Sequence, residues 1–213
     1  MRPSPRQRRL ESDLRSLESL RAESSIFDFA GSASEPAGPV DTYIARFCGP
    51  SFSRSPDRFE IGIGRDHEVL IRLGASYPRQ APSLAWRTPL FHPNISTSGA
   101  VCLGGYSTFW VPSLHLDQLC EMLWDMIRLQ NFDVKSPYNR EAAAWLAAQQ
   151  GLKLPLDERP LRDLAREVEA VDLVDQADAW RAPVTLIAAA DCGIQIIDAE
   201  VVMVEGPEIL YIE

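Results

Sequence analysis

The apolar residues of this chain recur in two rhythms. Leu10, Leu14, Leu17 and Leu20 fall near one face of a helix over Arg6–Arg21, with charged residues on the rest. Ser24–Ala30, Thr42–Cys48 and Glu68–Leu73 have strand composition, and Ser83–Arg87 is short enough to close the same antiparallel meander. A further strand is expected at Phe59–Ile63, and Gly31–Pro39 reads as a loop. Helical spacing returns at Leu116, Leu119, Cys120, Leu123, Met126 and Ile127, which predicts a helix over Leu114–Gln130 with Cys120 inside its buried stripe. After the turn-rich run Asn131–Tyr138, Asn139 can cap a helix carrying Ala142, Ala143, Trp145 and Leu146.

The pattern predicts an α+β domain over residues 1–150, with Gly151–Pro160 as its boundary and residues 151–213 as an extension. In the extension, Leu161, Leu164, Ala165, Val168 and Val171 suggest an amphipathic helix. β-like runs follow at Val184–Ala188, Gly193–Ile197, Val201–Glu205 and Ile209–Ile212.

Charge separates the same two parts. The net charge of −9 belongs to residues 151–213, which hold 5 basic and 14 acidic side chains; residues 1–150 balance. An acidic surface of this kind is a poor partner for nucleic acid. No run approaches the roughly 20 apolar residues of a membrane span, and no secretory signal is visible at the start, so no membrane is expected. Cys48, Cys102, Cys120 and Cys192 lie far apart without a CxxC pair or a Cys/His cluster, so neither a metal site nor a disulfide framework is expected. A reducing cytoplasm is the natural setting. Abundant Arg and Ala with few Lys suggest a bacterial genome.

The chemistry concentrates in Phe91-His92-Pro93-Asn94-Ile95-Ser96-Thr97-Ser98-Gly99-Ala100-Val101-Cys102-Leu103. Here a turn fixed by Pro93, the side-chain amide of Asn94 and the thiol of Cys102 precede a hydrophobic helix. A thiol can form a thioester, and an amide can donate to the oxyanion that develops when an amine attacks it. Cys102 could instead be a small buried hydrophobe, but Gly99, Gly104 and Gly105 around it suggest an irregular, exposed approach. His67 and His115 have no evident chemical partner and read as surface residues.

The element order and several motifs in register resemble the ubiquitin-conjugating enzyme family. Tyr77-Pro78-Arg79-Gln80-Ala81-Pro82 is similar to the family's Tyr-Pro-x-x-Pro-Pro turn. His92-Pro93-Asn94 is the family tripeptide, with Cys102 at the family spacing. Trp110-x-Pro112 follows at the expected interval, and Asn139-Arg140-Glu141-Ala142-Ala143 resembles the family's Asn-Pro-Glu-Ala-Ala helix start. The resemblance covers roughly residues 6–150.

It implies a transferase without cofactor or metal. Cys102 would accept the C-terminal carboxyl of a ubiquitin-like modifier from an activating enzyme and pass it to a lysine of a protein substrate. Asn94 would serve as oxyanion donor or as organiser of the loop beside the thiol. His92 and Pro93 would hold the turn, and His92 would not act as a base. Asp133, in the loop corresponding to the family's gate, would orient the incoming lysine, unless it is an ordinary turn aspartate. Arg6, Arg8 and Arg9 resemble the face that recruits the activating enzyme; a solvated helix face is the alternative. Trp110 and Pro112 lie on the ligase-facing loop, where Trp110 could equally anchor the core. Arg79 stands where ligase-binding members carry an aromatic residue, so a RING-type ligase is not expected to dock in the usual way.

Two competing functions use the same residues. One is an inactive variant of the fold that binds a modifier or partner, which retention of Cys102 and Asn94 argues against. The other is a cysteine hydrolase, which needs a histidine base that the family register assigns elsewhere. Departures at Arg79, the gate and the acidic extension suggest a distant branch. Conjugating enzymes encoded beside bacterial activating enzymes and modifiers, some in antiviral defence, are the group it would resemble. For the extension, docking of an activating enzyme, self-association and a structural cap all stand.

Overall fold

A computed structural model describes residues 3–36, 38–54, 60–103 and 110–164. The β-like runs expected at 184–212, and most of the helix expected from Leu161, lie outside them.

Helix α1 spans Pro5–Ala22. Ser4 caps it: its hydroxyl accepts from the Gln7 N–H at 3.2 Å while the Gln7 side chain returns a bond to the Ser4 N–H at 2.7 Å. Leu10, Leu17 and Leu20 form its buried stripe, and Asp13 lies fully buried within that stripe. Strands β1 (Phe27–Ser32), β2 (Thr42–Ser53), β3 (Gly62–Arg72) and β4 (Ser83–Trp86) follow as an antiparallel meander in sequence order. Helix α2 (Leu116–Ile127) and helix α3 (Arg140–Ala148) complete the described elements.

The register explains the core. Phe27 faces Phe47, Tyr43 faces Ile71 and Val69 faces Trp86, so alternate residues of every strand turn to one side. That face meets α1 and the apolar stripe of α2, including Leu119, Cys120, Leu123 and Ile127. Phe47 lies between two indoles, 6.5 Å from Trp86 and 6.4 Å from Trp124, nearly parallel to both. Each large side chain buried here stabilises the fold by about 1.5–3 kcal/mol. Burial also drives the Cys120 thiol pKa upward, as befits an inert core cysteine.

Four expectations change. Ile63 is not in a separate strand: it belongs to the same β3 as Glu68–Arg72, paired with a β2 that runs on to Ser53. The Gly49-Pro50 pair does not end β2, because a shift of register between Cys48 and Ser51 absorbs it. Gly49 is required there for space, since a Cβ would lie 2.3 Å from Trp124. His67 is not a surface residue: it is buried beside this irregularity, its Nε2 2.9 Å from the Gly49 carbonyl. His115 does have a partner, Asp13, at 3.1 Å. A lone histidine in a strand pattern, or at the start of a helix, gives no sign of either role.

Asp13 gathers four groups from three parts of the chain. It accepts from Arg9 at 2.8 Å, the Tyr77 hydroxyl at 2.6 Å, His115 Nδ1 and the backbone N–H of Leu116 at 3.3 Å. The last contact puts a carboxylate at the N-terminus of α2, where the exposed N–H groups of a helix favour negative charge.

The packed chain continues past residue 150. Leu161 is buried in the main core, the Trp124 indole donates to the Arg159 carbonyl at 2.9 Å, and Leu156 N–H donates to the Arg128 carbonyl at 2.8 Å. Arg162 is ringed by Glu23 at the end of α1 and by Asp117 and Glu121 of α2. No described helix is long and apolar enough to cross a membrane.

Candidate active site

The thiol-bearing segment enters after β4 and is held by short-range pairing. The Trp86 N–H donates to the Gly99 carbonyl at 2.7 Å, and Ile95 bridges to Val101. The Cys102 N–H donates to the Asn94 carbonyl at 2.8 Å, which fixes the thiol next to the His92-Pro93-Asn94 turn. Cys102 is half-buried and not in a disulfide.

Gly99 makes this loop possible. Its φ of +84° lies in the left-handed region, and a Cβ would sit 2.2 Å from the Trp86 carbonyl oxygen. Gly99→Ala should therefore destabilise the fold by about 1–3 kcal/mol. It should also slow any reaction of Cys102, as a urea melt and a thiol-modification rate would record.

His92 is almost completely buried, and its Nδ1 accepts from the Asn94 N–H at 3.0 Å. The remaining proton is thereby assigned to Nε2. Burial holds the imidazole neutral, its pKa lowered to about 3; that of His67 is lowered to about 4 for the same reason. Neither residue is placed as a titrating base near neutral pH. Above the ordinary histidine value of about 6.5, both states of the chain are neutral at these sites. Below it the unfolded chain takes up protons that the folded chain refuses. Stability should thus fall from pH 6.5 towards pH 4 by about 1.4 kcal/mol per unit for each histidine. His67→Gln should flatten the slope in a pH series of urea melts.

The loop expected to be the gate is tied to the same tripeptide at both ends. The Asn94 side chain exchanges two hydrogen bonds with the backbone of Asp133, donating to its carbonyl at 2.8 Å and accepting from its N–H at 2.7 Å. At the other end, the N–H groups of Tyr138 and Asn139 both donate to the Pro93 carbonyl at 2.9 Å. Asn139 then caps α3 through the Ala142 N–H at 3.1 Å. α3 is anchored below through Ala142 and Leu146, which pack with Phe52, Phe91 and Leu129. The loop begins where α2 stops, at Leu129, whose positive φ of 56° is held by burial in that cluster.

Of the residues singled out in the sequence, the structure brings together Cys102, Asn94, His92, Pro93 and the backbone of Asp133. The Asp133 carboxylate turns into its own loop, accepting from the N–H of Lys135 at 2.7 Å and of Ser136. Trp110 is tied down: its indole donates to the Pro78 carbonyl at 2.7 Å and its ring packs 6.0 Å from Tyr77. Pro112 is exposed, with its carbonyl accepting from Arg9. Arg9 is drawn inward to Asp13, Tyr77 and the Leu114 carbonyl. Arg6 reaches the Leu73 and Gly74 carbonyls, and Arg8 stays exposed, bonded to the Pro3 carbonyl. Arg79 is exposed.

One residue at the site was missed in the sequence. Tyr138 is exposed, and the charge of Cys102 raises its phenol pKa above the ordinary value. Its position just before a capping asparagine is the only sequence signal for it. Among the described residues no group of His, Cys, Asp and Glu side chains could hold a metal ion.

The candidate site is thus a thiol beside a His-Pro-Asn turn, on an α+β meander, with the following loop pinned to that turn. Residues 64–152 match the family model described as ubiquitin-conjugating enzyme. It is 38% identical over 77 residues to Ubiquitin-conjugating enzyme E2 16 of Schizosaccharomyces pombe, covering 36% of this chain and 47% of that protein. It is 36% identical over 70 residues to an Arabidopsis thaliana protein named as a Ubc12-like NEDD8-conjugating enzyme, covering 33% and 37%. The chain thus spans less than half the length of these curated relatives. Among solved structures, Saccharomyces cerevisiae Ubc12 shares the fold with a TM-score of 0.55 at 19% identity, over 78% of this chain and 80% of that one. A Plasmodium yoelii protein assigned as a ubiquitin conjugating enzyme gives 0.52 at 21%, over 70% and 88%.

Proposed function

We propose that this chain carries a ubiquitin-like modifier as a thioester on Cys102 and transfers it to an amine. The observation that carries the reading is the Asn94 junction. Its backbone carbonyl holds the Cys102 N–H, while its side chain holds the gate loop beside the thiol.

In loading, Cys102 Sγ attacks the carbonyl of a modifier thioester on an activating enzyme. The new C–S bond forms as the donor's breaks, and the donor thiol regains the proton that Cys102 lost. In transfer, a lysine amine attacks the same carbonyl, the C–N bond forms and the C–Sγ bond breaks. The amine's proton leaves to solvent and Cys102 is restored. A thioester reacts with amines while hydrolysing slowly, so the protein's task is to position and to gate.

Asn94 supports this chiefly as the organiser of the loop. One of its two amide hydrogens is engaged with Asp133, and the other can serve the developing oxyanion. His92 and Pro93 support the turn, and Asp133 shapes the gate. Arg8 on α1, with Arg6 and Arg9 beside it, and Pro112 next to exposed Val111, are the surfaces proposed to meet an activating enzyme or a ligase. A bacterial cytoplasm, with an activating enzyme and a modifier encoded nearby, belongs to the same proposal. Neighbouring genes lacking both would remove that part.

The test is charging. With a cognate activating enzyme, ATP and modifier, the protein should form an adduct that a thiol reagent cleaves. No adduct, or the same adduct in Cys102→Ala, overturns the reading.

A further inference from the structure

The protein has 21 Lys and Arg side chains, and just two of them, Lys135 and Lys153, are lysines. The difference matters to a chain that holds a thioester. A guanidinium keeps its proton at any pH a protein meets and cannot attack a carbonyl, whereas a lysine amine can. The two lysines stand in unlike places. Lys153 follows α3 and is paired with Glu158 at 2.8 Å; that hydrogen bond raises its pKa and favours the ammonium, which has no free electron pair. Lys135 lies in the loop that carries Asp133, and that loop is fastened to the thiol segment.

The fastening is by hydrogen bonds. Asn94 holds the Cys102 N–H with its carbonyl at 2.8 Å, and the Asp133 backbone with its side chain at 2.7 and 2.8 Å. The Asp133 carboxylate accepts from the Lys135 N–H at 2.7 Å, and Val134 between them packs against the cluster of Phe52 and Phe91. Further on, the Tyr138 N–H returns to the Pro93 carbonyl. Lys135 is exposed on this held loop, its Cα within about 7 Å of the Asp133 Cα. Its flexible four-carbon side chain adds to that reach.

We propose that Lys135 is a modification site, accepting the modifier from Cys102 of the same chain; this rests on the thioester reading above. The Lys135 amine attacks the thioester carbonyl, the C–N bond forms and the C–Sγ bond breaks. The amine's proton leaves to solvent and Cys102 is restored. The product is an isopeptide-linked conjugate that resists thiol reagents, with the modifier fixed on the loop beside the freed thiol.

The first measurement needs neither modifier nor activating enzyme. The full chain is treated with a small thioester of acetylglycylglycine, and acylation of each lysine is followed by peptide mass spectrometry. Exchange onto Cys102 and S-to-N transfer should acylate Lys135 about tenfold or more faster than Lys153. Cys102→Ala should bring the two lysines level. Equal rates in the wild type, or a Lys135 advantage that survives Cys102→Ala, overturn the proposal.

The second measurement is the charging reaction with activating enzyme, ATP and modifier. The thiol-labile adduct should convert into a thiol-resistant one on Lys135, with a rate constant independent of protein concentration. For the same amount of thioester, Lys135→Arg should slow the conversion about tenfold or more, and Lys153→Arg should leave it unchanged. A resistant adduct on Lys153 or on the N-terminal amine, a rate constant that rises with concentration, or thioester without conversion overturns the proposal while the thioester function stands. No thiol-labile adduct at all overturns both.

Discussion

Cys102→Ser should give a protein that folds like the wild type and loads modifier on the order of a thousandfold more slowly or worse. Any adduct it does form should survive thiol reagents and yield only to base. The two variants of this position separate chemistry from structure. Cys102 is half-buried, and its link to Asn94 is made by the backbone, so neither serine nor alanine disturbs the turn. What changes is the nucleophile. A serine hydroxyl is a weak nucleophile at its free pKa, and the site provides no base to activate it, because His92 is buried, neutral and committed to the Asn94 N–H. A thiol needs less help, since a few per cent is thiolate at neutral pH. An alanine variant should show no adduct. A serine variant that loaded as fast as the wild type would mean that the reacting atom lies elsewhere.

The largest effect on stability is expected far from the thiol. Asp13→Ala should cost about 3–5 kcal/mol in a urea melt, the range found when one partner of a buried ion pair is removed. Asp13 is fully buried and receives hydrogen bonds from Arg9, Tyr77, His115 and Leu116. Deleting it leaves the Arg9 guanidinium, only 12% exposed, without its counter-charge, and uncaps α2. Asp13→Asn, which keeps the shape and some of the acceptors, should cost less. Glu23, by contrast, shares Arg162 with two other acids at a more exposed position, so Glu23→Ala should lie within about 1 kcal/mol of the wild type. A small effect for Asp13→Ala would show that the network is incidental.

Much of this architecture was legible because its signals are local. The stripe Leu116–Ile127 and the Asn139 cap follow from helical period and from the hydrogen bonding of a single side chain. The pairing of His92, Asn94 and Cys102 was legible through motif spacing. What the sequence hid depends on contacts between distant segments. Glycine and proline at positions 49 and 50 mark an end to a strand, yet β2 continues because the irregularity lets Trp124 pack against Gly49. Arg9 on an amphipathic helix looks like a solvated charge. Only the fold brings the Tyr77 hydroxyl and the Pro112 and Leu114 carbonyls to it. Asp133 looked like an acid over the site, and its carboxylate is used within its own turn. The place of Tyr138 could not be read from a lone tyrosine, since its backbone is held where two loops meet at Pro93.

Residues 151–164 have a practical consequence for dividing the protein. A fragment ending at residue 150 would strip the cation from Glu23, Asp117 and Glu121, leaving three carboxylates facing one another. It would also expose the site in the core filled by Leu161 and leave the Trp124 indole without its acceptor. Such a fragment would misreport the acidic tail, because a loss of function would reflect a damaged domain. The informative cut falls after Leu164, where the domain keeps every partner described here.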